Sequence, residues 1–392
     1  MWWTQALGSF LRRSALYSTE IVAAEALLKR QLDAPVRLTF RELVAGSVED
    51  GMAVIRCAVS GTDALPDTVV VKRRWDQDDR LRREAASLEF LSGYEETRPI
   101  FPVFHGCEPQ SGIMVIEDLG DRHGQWLGEI LFTRGRQDGE QALFGFQRAV
   151  GRMHAATCGE TEAFGAAFAR HGAHSHTPDR TDSLAEKLRL FSHRIDELGF
   201  RSAPGLADDV ENALVLLENP GPFLAFVHGD TTLANTFWTP DGIRLFDLES
   251  GGMRHALTDG AFSRIRYLES SVAHQIPAGL RRELMNAYRD ELSRGCPQAA
   301  EDDLFQPAFL ACCAGWLAHL LIGLHRYLEK DEQWGRASER QRVVAALDAF
   351  AELAEEFGGL LALGETAADM SRKLRGMWGG ACELPMYDAL LR

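Results

Sequence analysis

The sequence predicts an α+β fold in two lobes, a small antiparallel β-sheet with helices followed by a larger, mainly helical lobe. A chain of 392 residues is too long for one compact core, so two domains are expected. Runs rich in β-branched residues end near residue 118, and beyond this point apolar residues recur at helical spacing. We therefore divide the chain into domains 1–118 and 119–392. The short connection, from Glu117 to Arg122, predicts a cleft between the lobes.

The first lobe begins with helical apolar spacing over residues 5–33. Five strand-like runs follow: Val36–Phe40, Ala53–Val59, Thr68–Val71, Ile100–Phe104 and Ile113–Ile116. A predicted helix from Gln77 to Leu91 separates the third run from the fourth. Gly46 and Gly51 bracket the connection between the first two runs, so we expect an antiparallel meander.

The second lobe is predicted to be helical apart from one hairpin. Its helices are expected at Trp126–Thr133, Gln141–Ala156, Ser183–Leu198, Ala207–Glu218, Ala256–Leu268, Gly279–Arg294, Phe309–Leu328 and Ala337–Phe357. The hairpin has strands Thr236–Trp238 and Ile243–Phe246 around the turn sequence Thr239-Pro240-Asp241-Gly242.

Composition limits the class of protein. A hydrophobic content of 45% and a charged content of 25% are typical of soluble globular proteins. The formal net charge of −15 argues against a nucleic-acid partner and is compatible with a cationic substrate. Seven cysteines without a C-x-x-C pair argue against a zinc site and fit a reducing cytoplasm.

Two features bear on membranes and targeting. No uninterrupted apolar stretch is long enough for a membrane span. The first 19 residues lack Asp and Glu, which is a feature of transit peptides. An amphipathic helix docked on the first lobe is the favoured interpretation, because no small-residue cleavage site follows an apolar core.

One segment carries most of the chemical information. His228-Gly229-Asp230 is followed by Asn235, and later by Asp247-Leu248-Glu249, which gives H-G-D-x-x-x-x-N and then D-x-E. Phosphoryl transfer from ATP needs a carboxylate beside the attacking hydroxyl and oxygen ligands for Mg²⁺. This segment contains all of these groups. The predicted hairpin would place Asn235 at the start of one strand and Asp247 after the end of the next.

The segment resembles the catalytic segment of the aminoglycoside phosphotransferase and choline kinase family. These small-molecule kinases are relatives of the protein kinases, which carry H-R-D-x-x-x-x-N and then D-F-G. The resemblance covers about residues 36–270. It implies a bilobal, protein-kinase-like fold. It also implies transfer of the γ-phosphoryl group of ATP to a hydroxyl of a small substrate that is aminoglycoside-, choline- or sugar-like.

The resemblance also implies roles for residues of the motif. Asp230 would be the catalytic base, and Asn235 and Asp247 would hold Mg²⁺. Glu249 would either help to bind a second ion or contact the substrate. His228 would support the loop through hydrogen bonds. Asp259 matches the structural acid of the family, although His255 stands where the family usually has proline.

In the first lobe, the resemblance places a phosphate-binding lysine at Lys72, at the end of Val69-Val70-Val71. Glu84 on the next helix would pair with it, with Glu89 or a plain surface glutamate as alternatives. The segment Gly46–Gly51 occupies the position of the phosphate-covering loop but does not match G-x-G-x-x-G. Backbone N–H groups of Ser47 or Val48 would approach phosphate, and a simple hairpin without a ligand is the equal alternative.

The hinge of the family resembles Met114–Asp121. By register, the backbone carbonyl of Glu117 and the N–H of Leu119 would bind adenine, and an edge strand running into a loop is the alternative. His154 is expected to be a buried, hydrogen-bonded residue. The trio His171, His174 and His176 favours a loop over a metal site, because its spacing is irregular.

Three functional classes stay open at this point: an active small-molecule kinase, a catalytically silent nucleotide-binding protein, and a kinase that acts on polypeptides. The last is disfavoured because D-F-G and A-P-E are absent and Gly260 follows Gly251 by only nine residues, too few for an activation segment. The acceptor, ATP or GTP as donor, and a possible homodimer are undecided. Five residues belong either to an acceptor pocket or to the core: Trp316, His319, His325, Tyr327 and Trp334.

Overall fold

The computed structural model describes residues 16–75, 79–120, 125–173 and 180–391, without the side chains of residues 180–183 and 192. Contacts group the chain into two units. The sheet unit consists of the described residues within 1–124, 162–175 and 239–251. The helical unit consists of those within 125–161, 176–238 and 252–392.

The strands are β1 Arg37–Ser47, β2 Met52–Ser60, β3 Thr68–Arg74, β4 Phe104–Glu108, β5 Ile113–Glu117, β6 Gln125–Trp126, β7 Leu224–Val227, β8 Thr236–Thr239, β9 Gly242–Leu245, β10 Gly252–His255, β11 Gln333–Trp334 and β12 Ala337–Ser338. The helices are α1 Ser18–Leu32, α2 Arg80–Ser92, α3 Leu127–Thr133, α4 Arg136–Thr157, α5 Thr161–His171, α6 Arg180–Glu197, α7 Leu206–Glu218, α8 Leu257–Gly260, α9 Ala278–Leu292, α10 Asp302–Leu320, α11 Leu324–Glu329, α12 Glu339–Phe357, α13 Leu361–Trp378 and α14 Asp388–Leu391.

The sheet unit is built on a five-stranded antiparallel sheet in the order β1-β2-β3-β5-β4. Apolar residues of α1, such as Leu27 and Leu28, form one buried core with residues of the sheet that include Val69 and Val71. Because side chains alternate along a strand, Lys72 points to the opposite face from Val69 and Val71. The α+β class predicted from the sequence is confirmed.

The predicted strand Ile100–Phe104 is wrong, because β4 begins only at Phe104. Pro102 lies in the predicted run and has no N–H to donate to a sheet ladder. The carbonyl groups before it have other partners in the sheet unit. The Ile100 carbonyl accepts a hydrogen bond from Leu245 N–H at 2.7 Å, and the Phe101 carbonyl accepts one from Arg244 at 2.7 Å.

The helical unit packs around α10, which contacts α6, α7 and α12. This helix is buried on nearly all sides, and Cys312 and Cys313 are 0% exposed, as expected for core packing. The predicted helix Phe309–Leu328 is instead two helices, α10 and α11, on either side of Gly323. Among the described residues, no helix combines the length and apolar character that a membrane span requires.

The predicted helix Ala256–Leu268 is also wrong in extent. Only α8 forms there, followed by short 3₁₀ turns at Ala261–Ser263 and Arg266–Leu268. The side chains of Asp259 and Arg266 make hydrogen bonds to a distant backbone segment, and these tertiary bonds override the local apolar spacing. This irregular segment holds the loop that contains Asp230.

Candidate functional site

The H-G-D segment follows a short buried strand. Strand β7 pairs antiparallel with β10, from Leu224 opposite His255 to Val227 opposite Gly252. The chain then turns at Gly229, whose φ of +78° lies in the left-handed region that glycine adopts without steric cost. A 3₁₀ turn at Leu233–Asn235 leads into β8. Asp230 therefore lies on a sharp loop between two strands.

The side chain of Asp259 fixes the backbone of this loop through hydrogen bonds. Its Oδ2 accepts hydrogen bonds from the backbone N–H groups of His228 at 2.8 Å and Gly229 at 3.4 Å. Its Oδ1 accepts one from Arg266 Nη1 at 2.5 Å, and Arg266 Nη2 donates to the Gly229 carbonyl at 3.2 Å. Burial alone would raise the pKa of Asp259, but the Arg266 guanidinium outweighs burial and holds it well below its usual range. We call Asp259 and Arg266, with the backbone they hold, the loop brace.

The loop brace is itself enclosed by aromatic and histidine side chains. Arg266 lies over the Trp316 ring, with its Cζ 4.7 Å from the ring centroid, and Trp316 Nε1 donates to the Thr258 carbonyl at 2.8 Å. His154 Nδ1 contacts the Tyr288 hydroxyl at 2.9 Å. Burial lowers the pKa of His154 to about 4, so this ring is neutral at pH 7. His154 is the buried, hydrogen-bonded residue that was predicted, and Trp316 belongs to the core.

Sequence reasoning missed Arg266. It is 1% exposed, although arginine is seldom fully buried without a partner. Two arginines, Arg264 and Arg266, between the apolar residues of the segment Phe262–Leu268 were the available signal.

Asn235 fixes the side chain of Asp230. Its Nδ2 donates to Asp230 Oδ2 at 2.8 Å and to the Asp230 carbonyl at 3.0 Å. Asp230 N–H in turn donates to His228 Nδ1 at 3.3 Å, so His228 supports the loop through hydrogen bonds. Both of these bonds use the amide nitrogen of Asn235, so its Oδ1, which is an acceptor, takes part in neither of them.

The second group of predicted residues lies in the sheet unit, around Lys72. Lys72 Nζ is 2.5 Å from Glu84 Oε1 and 3.1 Å from Asp247 Oδ1. Burial would lower the pKa of Lys72, but the charges of Glu84 and Asp247 outweigh it and raise the pKa, so the lysine is charged at neutral pH. The alternative partner Glu89 instead contacts Arg170 and His171, each at 2.6 Å. His174 and His176 lie outside the described residues.

Glu249 lies in the same cluster, beside two arginines. Its carboxylate is 3.1 Å from Arg74 Nη1 and 3.5 Å from Arg80 Nη1. Sequence reasoning missed both arginines, although Arg74 follows Lys72 by two positions and Arg80 begins α2. We call Lys72, Arg74, Glu84, Asp247 and Glu249 the charged cluster.

The carboxylates of the charged cluster affect one another. Burial raises the pKa of Glu84 to about 7, and repulsion from Asp247 and Glu249 adds to this rise while Lys72 opposes it. Burial and the charge of Asp247 also raise the pKa of Glu249. Because these carboxylates repel one another, additional positive charge at this cluster would be favourable. Asp247 also has a φ of +70°, which is unusual for a residue other than glycine and costs about 1 kcal/mol.

The remaining predicted residues have partners within the sheet unit. Ser47 Oγ donates to Asp50 Oδ2 at 2.6 Å across the β1–β2 turn. The Glu117 carboxylate accepts hydrogen bonds from Arg244 at 2.5 Å and from Val103 N–H at 3.0 Å, and this ion pair is buried. Leu119 is 5% exposed. The side chains of Ser47 and Glu117 thus have structural partners, and any contact to a nucleotide is left to backbone groups.

The ligand chemistry fits Mg²⁺. Carboxylate and amide oxygens, such as those of Asp247 in the sheet unit and Asn235 in the helical unit, are each of the type that Mg²⁺ prefers, and this ion usually takes only one or two protein carboxylates together with substrate phosphates. Among the residues that the structure describes, no group of three or more His, Cys, Asp or Glu side chains has metal-binding geometry. A zinc-type cage is therefore not found there, whereas a site completed by phosphate oxygens is chemically consistent.

Comparison with known proteins gives structural neighbours only, because no protein-family model and no curated protein matches the chain. A choline/ethanolamine kinase family protein from Mesorhizobium loti aligns with a TM-score of 0.43 and 18% identity, over 88% of this chain and 99% of that one. A macrolide 2′-phosphotransferase from Brachybacterium faecium gives 0.42 and 16%, over 82% and 98%. An ADP-bound aminoglycoside phosphotransferase gives 0.44 and 12%, over 87% and 97%. With identities and TM-scores this low, function has to be argued from the residues of this chain.

Proposed function

We propose that this chain is a small-molecule kinase that transfers the γ-phosphoryl group of ATP to a hydroxyl group of a small substrate in a Mg²⁺-dependent reaction. The observation that carries the proposal is the contact of Lys72 with Glu84 and Asp247, which fixes a charged ammonium group on strand β3. An ammonium held in this way is suited to bind phosphate oxygens.

Asp230 is proposed as the catalytic base. A hydrogen bond from Asn235 fixes its carboxylate, and the loop brace fixes the backbone before it. In this position it orients the substrate hydroxyl and accepts its proton as the oxygen attacks the γ-phosphorus. Transfer of this kind depends mainly on positioning and charge neutralisation.

Asn235 and Asp247 are the proposed Mg²⁺ ligands. When bound, the ion would neutralise charge on the transferring phosphates. Lys72 orients Asp247 through its 3.1 Å contact, and Glu84 orients Lys72. Because Glu249 already contacts Arg74 and Arg80, we assign it to the orientation of these arginines in preference to a second ion.

A small acceptor is favoured over a polypeptide by the segment after Asp247. Residues Gly252–His255 form β10, which is hydrogen-bonded to β7, and α8 with Asp259 follows almost at once. This short segment is used entirely for the support of the catalytic loop. It therefore leaves no long loop of the kind that docks peptide substrates in protein kinases.

The proposal is tested by a panel of hydroxyl-bearing amines, sugars and aminoglycosides, assayed for Mg²⁺-dependent ADP release. At least one acceptor should give release that disappears when EDTA is added. ATP binding without turnover on any acceptor would indicate a catalytically silent protein, and labelling of a peptide library alone would indicate a polypeptide kinase.

The matched variant is Asp230→Asn, which keeps an oxygen for Asn235 and removes the base. We expect kcat to fall by about 10²–10⁴-fold with little change in ATP affinity. Normal turnover in this variant would exclude Asp230 as the base.

A further inference from the structure

Two cysteines of the helical unit lie beside one carbonyl oxygen. Cys158 directly follows α4, and Cys296 follows α9 after a short turn. The Sγ atoms of Cys158 and Cys296 each lie 3.2 Å from the carbonyl oxygen of Pro222. The two sulfurs are therefore no further apart than twice this distance. All seven cysteines of the chain are thiols in the structure.

Close backbone packing brings the ends of the two helices together. A Cβ at Gly151 of α4 would lie 2.7 Å from the Tyr288 carbonyl oxygen of α9. A Cβ at Gly295 would overlap the Ala155 carbonyl group. Glycine at these two positions permits an approach that a side chain would block. The nearness of Cys158 to Cys296 thus follows from the packing of two long helices and does not depend on a flexible surface loop.

We propose that Cys158 and Cys296 form a reversible disulfide when the protein meets a peroxide. Cys158 is half-buried and accessible, whereas Cys296 is 1% exposed. The oxidant would therefore reach Cys158 first. Cys296 lies behind it as the resolving thiol.

The chemistry balances without a further reactant. The Cys158 thiolate attacks one peroxide oxygen, the O–O bond breaks, and a sulfenic acid forms with release of water or an alcohol. The Cys296 sulfur then attacks the Cys158 sulfur, the S–O bond breaks, and a second water leaves as the S–S bond forms. Two thiols have lost two electrons and two protons, and the peroxide has been reduced.

Electrostatics supports this order of attack. The neighbouring Cys296 thiol lowers the pKa of Cys158 despite its partial burial. The neighbouring Cys158 thiol, with burial, raises the pKa of Cys296. Cys158 is thus the thiol with more thiolate at neutral pH and the better nucleophile toward peroxide.

The disulfide would lie beside strand β7, which directly precedes the H-G-D segment. Pro222 precedes β7, and Leu224 at the start of β7 accepts a hydrogen bond from Gly159 N–H at 2.8 Å. Thr157 Oγ1 accepts one from Phe226 N–H at 3.1 Å. A disulfide here would fasten α4 and α9 beside the first residue of β7. Because it closes a long loop, we expect the Tm to rise by several degrees on oxidation.

The test uses the full chain without nucleotide or acceptor, so its result does not depend on the proposed kinase activity. The protein is treated with a small excess of hydrogen peroxide, the free thiols are alkylated, and the unreduced digest is analysed by mass spectrometry. We expect a linked pair of peptides that contain Cys158 and Cys296, which dithiothreitol separates. Alkylation of both residues after oxidation of the other thiols would overturn the proposal.

Two variants sharpen the test. In Cys296→Ser, Cys158 should accumulate as a sulfenic acid that dimedone traps, because the resolving thiol is missing. The control Cys107→Ser removes another partly buried thiol and should keep the linked peptides and the rise in Tm. If Cys296→Ser yields no dimedone adduct at Cys158, the proposed order of attack is wrong. If that variant is poorly folded, the linked peptides of the wild-type chain still test whether the disulfide forms.

Discussion

The loop brace and the charged cluster both pair basic side chains with carboxylates, but they differ in how completely the charges are enclosed. Asp259 and Arg266 are each 1% exposed, and the pKa of Asp259 is held well below its usual range. In the charged cluster the side chain of Asp247 is 39% exposed, and the pKa values of Glu84 and Glu249 are raised. The brace is a closed structural network, whereas the cluster retains carboxylates that a cationic ligand would stabilise.

The largest effect is expected from Arg266→Met. This change removes the charge opposite Asp259 while it keeps most of the side-chain volume, so a buried carboxylate is left without its cation. Removal of one partner of a buried pair costs about 3–5 kcal/mol in the free energy of unfolding. Urea denaturation would measure this loss.

The matched control for that variant is Arg282→Met, which breaks an exposed ion pair with Glu356 and should change stability little. Equal stabilities of the two variants would show that the brace is not the closed network described above.

A second prediction concerns acid stability of the helical unit. Burial lowers the pKa of His154 to about 4 and that of His255 to about 3, from an ordinary value near 6.5. Between these values the unfolded chain binds protons that the folded chain does not, so stability is fully present above pH 6.5 and is lost as the pH falls toward 4. We expect a loss of about 2–3 kcal/mol per histidine over this range.

Denaturation curves measured from pH 7 to pH 4 would check this loss. His154→Gln should reduce the pH dependence and leave the part due to His255, whereas His325→Gln, at an exposed position, should leave it unchanged. A flat profile in the wild-type chain would contradict the neutral, buried state of His154.

The two regions also differ in what the sequence could predict. Runs rich in β-branched residues located β2, β3 and β5, and the H-G-D and D-x-E spacing located the candidate site. Lys72 and Glu84 were paired through the resemblance, and their contact in the structure agrees with it. The lysine and the carboxylates of the charged cluster could be anticipated from short motifs and the resemblance, whereas Arg74 was missed.

The loop brace could be anticipated only in part. Asp259 was recognised by its spacing, but its cation was not, because no local pattern connects Arg266 to Gly229 or Trp316. The same tertiary bonds break the segment that local spacing predicts as a single helix. The start of β4 was predicted too early for a related reason, since the carbonyl groups of Ile100 and Phe101 accept hydrogen bonds from residues of β9.

For the charged cluster, Lys72→Met should affect nucleotide binding more than stability. Loss of a hydrogen-bonded charge on phosphate is worth about 1.5–3 kcal/mol, which corresponds to roughly 10–150-fold in ATP affinity. Stability should fall less than in Arg266→Met, because the pKa of Glu84 is already about 7 and this carboxyl can take up a proton when its partner is removed.

Calorimetric titration with a non-hydrolysable ATP analogue, combined with thermal melting, would separate the two effects. Lys29→Met is the control, since Lys29 makes only an exposed pair with Glu25 on α1. If the Lys72→Met variant binds the ATP analogue with unchanged affinity, Lys72 does not bind phosphate as proposed.

The smallest effect is expected from Glu249→Gln, and its comparison with Asp247→Asn distinguishes the roles of the two carboxylates of the D-x-E motif. Asp247→Asn and Glu249→Gln are the same chemical change two positions apart. If Asp247 is an ion ligand, its variant should need much more Mg²⁺ for half-maximal ADP release. Glu249 is engaged by Arg74 and Arg80 at a partly exposed position, so its variant should lose less than about 1 kcal/mol and shift the Mg²⁺ requirement by less than roughly fivefold. A large increase in the Mg²⁺ requirement of Glu249→Gln would show that Glu249 is an ion ligand. Its contacts with the two arginines would then be replaced when the ion binds.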